Sequence, residues 1–341
     1  MIEMTLVSGF LGAGKTTWLG HRLRHERDAA DLLVVNDFSR TGVDDLILRD
    51  AGGAGGPPVE SVVGGCLCCE KLDDLTGLLH DAVGRRHRGP AGGHEIRHVV
   101  VETSGVAEPQ RIVDALDADP VLRANLVLRS LVVVLDGVGG LGLLRHRRAV
   151  RSQVAVADRV VLARTDLATR EEVGDLAGVV RRLNATAEIV GAAHGCEHAL
   201  AETRSDGSGP TGNGAAEIET FDDTDNASDV RSWAVELAPG TNWAEYALWL
   251  DAASRAHPDR LLRTKGLVPT SDGPLLVQSM GAQVARPARA PDTTGPSMIF
   301  IVDRLDLDVL ERSLRTFVPS AFDAPSDGEA PRDARVRPQH R

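Results

Sequence analysis

The sequence predicts a doubly wound, mostly parallel α/β sheet followed by a smaller α+β domain, and three observations predict it. Short, nearly continuous apolar runs recur at Met4-Thr5-Leu6-Val7, Leu32 to Val35, Val99 to Val101, Leu131 to Leu135 and Arg159 to Leu162. Runs of this kind belong to strands buried on both faces, as in a parallel sheet covered by helices. Helix-length segments alternate with them, Lys15 to Arg27 and Leu72 to Arg86 for example, which is the βαβ pattern. Finally, an acidic stretch from about His198 to Asp229, poor in apolar residues, divides the chain.

A chain of 341 residues exceeds the roughly 250 to 300 at which single cores stop growing, so two domains are expected. The boundaries read as 1–197 for the first domain, 198–229 for a flexible acidic linker, 230–318 for the second domain and 319–341 for a disordered tail rich in Pro, Asp and Arg. Within the first domain, Ala51 to Pro58 and Arg85 to Gly93 read as flexible loops. The second domain opens with Trp233 to Leu237 and a helix from Trp243 to His257, on which Tyr246, Trp249 and Leu250 share a face. Strands at Leu261 to Gly266, Pro274 to Met280 and Met298 to Val302 follow, then a helix through Leu307, Leu310, Leu314 and Phe317.

With 42% hydrophobic and 26% charged residues the composition is globular, and no stretch reaches the ~18 apolar residues of a membrane span. A net charge of −11 and 3% aromatic residues argue against nucleic-acid binding, which favours basic surfaces and stacking platforms. No signal peptide is visible at Met1 to Met4, so the expected location is cytoplasmic, with no membrane partner.

Gly9-Phe10-Leu11-Gly12-Ala13-Gly14-Lys15-Thr16 satisfies GxxxxGK[ST] directly after the first strand and before a helix. In that setting the backbone of Gly9, Gly12, Ala13, Gly14, Lys15, Thr16 and Thr17 cradles phosphates at the positive end of the helix. Lys15 neutralises the β- and γ-phosphates and the Thr16 hydroxyl ligates Mg²⁺. Val99 to Glu102 ends a second buried strand in a carboxylate, which either holds the Mg²⁺ shell or orients water. Gly105 then offers its N–H to the γ-phosphate, giving Lys15, Glu102 and Gly105 the catalytic roles. Asn36 and Asp37 close another strand; Asp37 faces Mg²⁺, the cysteine run or both, or the pair caps a turn.

Cys66, Cys68 and Cys69 stand in Gly64-Gly65-Cys66-Leu67-Cys68-Cys69. Adjacent Cα atoms ~3.8 Å apart are too close for a relaxed disulfide, and three soft donors suit Zn²⁺ or a thiophilic relative. Three or fewer protein ligands leave a position for water, Asp37 or a receiving protein. Cys196 is isolated and reads as an ordinary cysteine.

Together, the phosphate loop, Asn36-Asp37-Phe38, Gly65-Cys66-Leu67-Cys68-Cys69 and Glu102-Thr103-Ser104-Gly105-Val106-Ala107-Glu108-Pro109 resemble the CobW-like family of metallochaperone P-loop GTPases. Gln153 to Leu167 resembles that family's base-recognition strand and loop, and Leu262 to Gly266 part of its C-terminal domain. The resemblance implies a GTPase that binds GTP with Mg²⁺, holds Zn²⁺ or Co²⁺ on Cys66, Cys68, Cys69 and Asp37, and delivers the metal to a client metalloprotein. Whether the chain forms a homodimer is left open by the sequence. Ala163-Arg164-Thr165-Asp166 stands where the family has Asn-Lys-x-Asp: Asp166 accepts from guanine, Arg164 covers the base with its stem, and Ala163 lacks asparagine's polar contacts. The family's histidine-rich linker is replaced by the acidic stretch. Two further readings stay open, a nucleotide-modulated metal sensor or reservoir, and a P-loop kinase, which leaves the cysteines without a task.

Overall fold

The computed structural model describes residues 1–26, 30–37, 48–51, 57–63, 71–88, 96–105, 107–200, 230–281, 283–284, 286–290 and 298–322. Among these residues the first sheet comprises β1 (Ile2–Ser8), β2 (Leu32–Asp37), β3 (Val59–Val63), β4 (His98–Glu102), β5 (Leu126–Asp136), β6 (Arg159–Ala163), β7 (Glu188–Ala193) and β8 (Cys196–His198). Their order is β3-β2-β4-β1-β5-β6-β7-β8. Every neighbouring pair is parallel except β7 and β8.

Alternation along the strands builds two cores from one sheet. Met4, Leu6, Val99, Val101, Leu131 and Val133 pack on one face; Val7, Val100, Val132 and Val134 pack on the other, against Trp18 and Leu19 of α1 (Lys15–His25). Successive strand residues point to opposite faces, so a run apolar throughout needs helices on both sides. Other helices of this half are α2 (Leu72–Arg88), α3 (Pro109–Ala118), α4 (Pro120–Asn125), α5 (Gly140–His146), α6 (Arg148–Val156) and α7 (Arg170–Leu183).

Each of the five apolar runs is a strand, but β3, β7 and β8 were not anticipated. Val59-Glu60-Ser61-Val62-Val63 carries polar residues in mid-strand, Glu188 to Ala193 contains Gly and two Ala, and β8 has three residues. Their pairing with neighbours, rather than their own pattern, makes them strands. α2 continues to Arg88, so the loop expected from Arg85 starts inside a helix, whose Arg86 donates to the Met1 carbonyl at 2.7 Å.

The second sheet is antiparallel, in the order β12-β11-β10-β14-β9, with β13 on β11. Its strands are β9 (Val230–Val235), β10 (Leu261–Thr270), β11 (Gly273–Met280), β12 (Gln283–Val284), β13 (Ala288–Arg289) and β14 (Met298–Asp303). One face packs Val268, Val277 and Phe300 against Tyr246, Trp249 and Leu250 of α8 (Trp243–Ala256) and Leu310 and Leu314 of α9 (Leu307–Phe317). The other sends Val230, Leu262, Met280, Ile299 and Ile301 into a core of the first sheet. Arg263, 3% exposed, donates to the Val156 carbonyl and to Asp158, and Arg148 pairs with buried Asp303 at 3.0 Å. The two sheets therefore share apolar surface and buried charge.

Two expected boundaries shift. His198, expected to open the linker, instead closes β8, because its ring lies against Gly191, where a Cβ would stand 2.4 Å from it. Pro319–Ala321, assigned to a disordered tail, forms a 3₁₀ turn with Ala321 fully buried and accepting from the Ala238 N–H at 2.7 Å. The linker residues 201–229 and tail residues 323–341 lie outside the described residues.

Candidate functional site

The register aligns the C-terminal ends of the central strands: Val7 and Val35 both stand beside Glu102, and Asp37 beside Val63. Ligands of open α/β sheets bind at this edge. From it the chain leaves β1 through Gly9 to Gly14 into α1. Gly9, Gly12 and Gly14 have φ of +135°, +73° and +98°, a region closed to most side chains. At Gly9 a Cβ would also fall 2.1 Å from the Val134 carbonyl oxygen, so the loop presses directly onto β5.

Lys15 is 9% exposed and its ammonium donates to the carbonyls of Gly9 at 2.8 Å and Phe10 at 3.3 Å, curling into its own loop. The Thr16 hydroxyl donates to Glu102 Oε1 at 3.1 Å. Glu102 is 3% exposed, so its carboxylate lies in the interior and not in solvent. A hydroxyl and a carboxylate in contact beside a cationic loop are a hard-oxygen pair, and this donor chemistry fits Mg²⁺. Gly105 lies against the phosphate loop: a Cβ there would fall 2.4 Å from the Leu11 nitrogen.

Asn36 is buried. Its Oδ1 accepts from the Ser104 N–H at 3.2 Å and its Nδ2 donates to the Val62 carbonyl at 3.1 Å, joining the exit of β4 to β3. Asp37 is placed as the last residue of β2; its side chain, and all of Cys66, Cys68 and Cys69, lie outside the described residues. Among the described residues no group of three His, Cys, Asp or Glu side chains is arranged to hold a metal, and Cys196 is exposed.

Arg164 has φ +57°, uncommon for a residue with a side chain. Its guanidinium donates to the Gly12 carbonyl at 2.9 Å and pairs with Asp136 Oδ2 at 2.7 Å. Asp166 pairs with His194 at 3.5 Å, and the neighbouring Thr165 hydroxyl meets His198 Nε2 at 2.8 Å. Asp136 and His194 escaped the sequence reading. Asp136 is signalled by standing at a buried strand's end before Gly137, whereas nothing local marks His194.

One sequence assignment needs correcting. Gln153 lies in a helix and not a strand: β6 begins at Arg159, and Gln153 is a fully buried residue of α6. Its Nε2 donates to the Ala107 carbonyl at 2.9 Å and the Gly105 carbonyl at 3.5 Å, supporting the segment after Glu102.

Residues 3–191 match the family model described as CobW/HypB/UreG, nucleotide-binding domain, and residues 230–318 match the Cobalamin synthesis protein cobW C-terminal domain. The chain is 28% identical over 268 residues to the zinc chaperone YjiA of Escherichia coli, covering 78% of this chain and 81% of that one. It is 27% identical over 323 residues to the zinc chaperone CobW of a Sinorhizobium species, covering 83% and 86%. The crystal structure of Zn(II)-bound YjiA GTPase from E. coli superposes with a TM-score of 0.60 at 22% identity over 93% of this chain and 98% of that chain, a likeness of fold.

Proposed function

This chain belongs to the CobW/HypB/UreG family, and from that membership we propose that it is a GTP-hydrolysing metallochaperone that carries Zn²⁺, or the related Co²⁺, to a client metalloprotein. The metal is cargo, held by Cys66, Cys68 and Cys69 with Asp37. Three thiolates leave the fourth position to Asp37, a ligand that a recipient can displace to take the ion. Among the described residues no helix is long and apolar enough to cross a membrane, and we place the reaction in the cytoplasm.

One observation carries the reading. Val63, the last described residue before the cysteine run, ends β3 at the same sheet edge as the phosphate loop. β3 is separated from β1 by β2 and β4, three spacings of about 4.8 Å or roughly 14 Å. The chain thus enters the cysteine run from the nucleotide side, and Asn36 ties Val62 to the segment that ends at Gly105.

In the hydrolytic step, Lys15 leaves the Gly9 and Phe10 carbonyls for the β- and γ-phosphates, while the loop amides orient them. Thr16 and Glu102 would hold Mg²⁺, which when bound supplies positive charge to the phosphate oxygens. Gly105 donates its N–H to the γ-phosphate, and Asp166 and Arg164 hold the base. Loss of the γ-phosphate frees Gly105, and its movement reaches β3 through Ser104 and Asn36. Coupling of this kind requires different metal affinities in the two nucleotide states.

The test titrates GTP and ATP against the protein and a Cys66→Ala, Cys68→Ala, Cys69→Ala variant, with and without Zn²⁺. The expected result is preference for GTP, with hydrolysis or affinity altered by Zn²⁺ in the parent and not in the variant. A parent protein indifferent to Zn²⁺ in both quantities overturns the chaperone reading and leaves a nucleotide hydrolase.

A further inference from the structure

The segment Ala163-Arg164-Thr165-Asp166 must be held against the phosphate loop for one nucleotide to touch both. Ala163 offers no side-chain donor or acceptor; its methyl group lies 3.3 Å from where a Cβ on Gly14 would be. The polar link is the Arg164 guanidinium, which reaches Gly12 on one side and Asp136 on the other. A planar guanidinium can hold a carbonyl and a carboxylate at once in a fixed fork, which a lysine ammonium does less rigidly.

Asp136 is itself fixed. Its Oδ1 accepts the Val138 N–H at 3.2 Å and its Oδ2 the Gly139 N–H at 3.0 Å, so the carboxylate is aimed before Arg164 arrives. The turn it begins is pinned to the base loop, the Gly137 N–H donating to the Ala163 carbonyl at 2.7 Å. No side chain fits there: a Cβ on Gly137 would fall 2.7 Å from that oxygen. The ends of β5 and β6 therefore form one unit with the phosphate loop.

From this geometry we propose that Asp136 is a positioning residue for base selection: by anchoring Arg164 it sets the distance between the base loop, with Asp166, and the phosphate loop. Asp136 does not touch the nucleotide; it acts through Arg164. The inference rests on the reading of Asp166 as the guanine acceptor. It adds that, where Ala163 brings no amide, an arginine–aspartate pair supplies the rigidity that base discrimination needs.

The test measures GDP and ADP affinity by fluorescent-analogue titration for the parent protein, Asp136→Asn, Arg164→Gln, the double variant and Arg164→Lys. Asp136→Asn keeps a turn acceptor while removing the charge pair. Each of the first two variants is expected to weaken GDP by about tenfold, the scale of a lost charge-assisted contact. ADP should weaken less, so the GDP-to-ADP ratio falls. The double variant should lose no more than Arg164→Gln alone, because that change already breaks the contact that Asp136→Asn removes. Arg164→Lys should retain part of the ratio. If Asp136→Asn fails to fold, Arg164→Gln reports the same contact from its other partner. Unchanged ratios in both single variants, or equal and additive losses for GDP and ADP, overturn the proposal. A parent protein without base preference overturns the underlying reading of Asp166 and this inference with it.

Discussion

The side chain of Asn36 accepts the backbone N–H of Ser104 at 3.2 Å, joining two strands that meet only because β2 pairs with β4. The same amide donates to the Val62 carbonyl, so one buried group touches both the segment after Glu102 and the strand that leads into the cysteine run. Asn36→Ala removes both contacts and leaves a buried N–H and carbonyl without this partner, at a cost of about 1–3 kcal/mol. Its more specific effect should be on coupling. GDP binding should persist while the response of hydrolysis to Zn²⁺ is lost, read by hydrolysis assays with and without Zn²⁺. A variant with an undiminished Zn²⁺ response would assign Asn36 a role in folding alone.

Thr16 and Glu102 should behave as a pair. Thr16→Ala and Glu102→Gln each remove one half of the oxygen pair proposed for Mg²⁺, and hydrolysis should fall by about 100-fold or more, as when one preorganised electrostatic group is lost. Combining them should add little, because the second change acts on a site already broken. Single-turnover hydrolysis at saturating GTP measures this. Chelating Mg²⁺ should reduce the parent protein to the level of the variants and leave the variants almost unaffected.

Arg263→Ala should loosen the second sheet from the first. The guanidinium is buried and pairs with Asp158 and the Val156 carbonyl. Breaking a buried pair costs about 3–5 kcal/mol. Here the lower end is expected, because Asp158 is 22% exposed and also accepts the Leu131 N–H at 2.9 Å. Urea denaturation should show a lower midpoint, and a separate early transition if the two sheets then unfold independently. Asp158→Ala should cost less in this variant than in the parent protein, since its contact with Arg263 is already gone and the Leu131 N–H is the bond it still removes.

Asp119 gives the fold an acid-sensitive cap. Its carboxylate accepts the N–H groups of Val121 and Leu122 at the start of α4 and bonds His80 of α2 at 2.8 Å. The Leu122 N–H and the His80 contact hold its pKa below the ordinary carboxylate value, with Val121 adding to them. A depressed folded-state pKa means that the cap stabilises fully above the unfolded-state value, and its contribution is lost as pH falls through the lower, folded-state one. Asp119→Ala should therefore lower the Tm clearly at neutral pH. The difference from the parent protein should shrink as acid protonates Asp119, which thermal unfolding across an acidic pH series would record.

Much of the fold was legible because its signals are local. The runs at Met4, Leu32, Val99, Leu131 and Arg159 are nearly continuous in apolar residues, and a strand covered on both faces requires that of its own residues. The phosphate loop was legible for the same reason: its glycines, lysine and threonine are contiguous, and the loop's chemistry follows from that order. β3, β7 and β8 were not, since Glu60, Ser61, Gly191 and a three-residue segment carry no strand pattern and depend on the neighbours they pair with.

What the sequence by itself determined is which groups are present: a GxxxxGK[ST] loop at Gly9 to Thr16, a carboxylate at Glu102 and three thiols from Cys66 onward. What the tertiary structure decided is which groups meet. Gly12 and Arg164 lie 152 positions apart and Thr16 and Glu102 86 apart, and no local pattern records such pairs. Strand order creates them, because parallel pairing brings the C-terminal ends of β1, β2, β4, β5 and β6 to one edge. Asn36 and Gln153 acquire backbone partners, and Asp136 the Arg164 guanidinium, from groups that folding alone brings within reach.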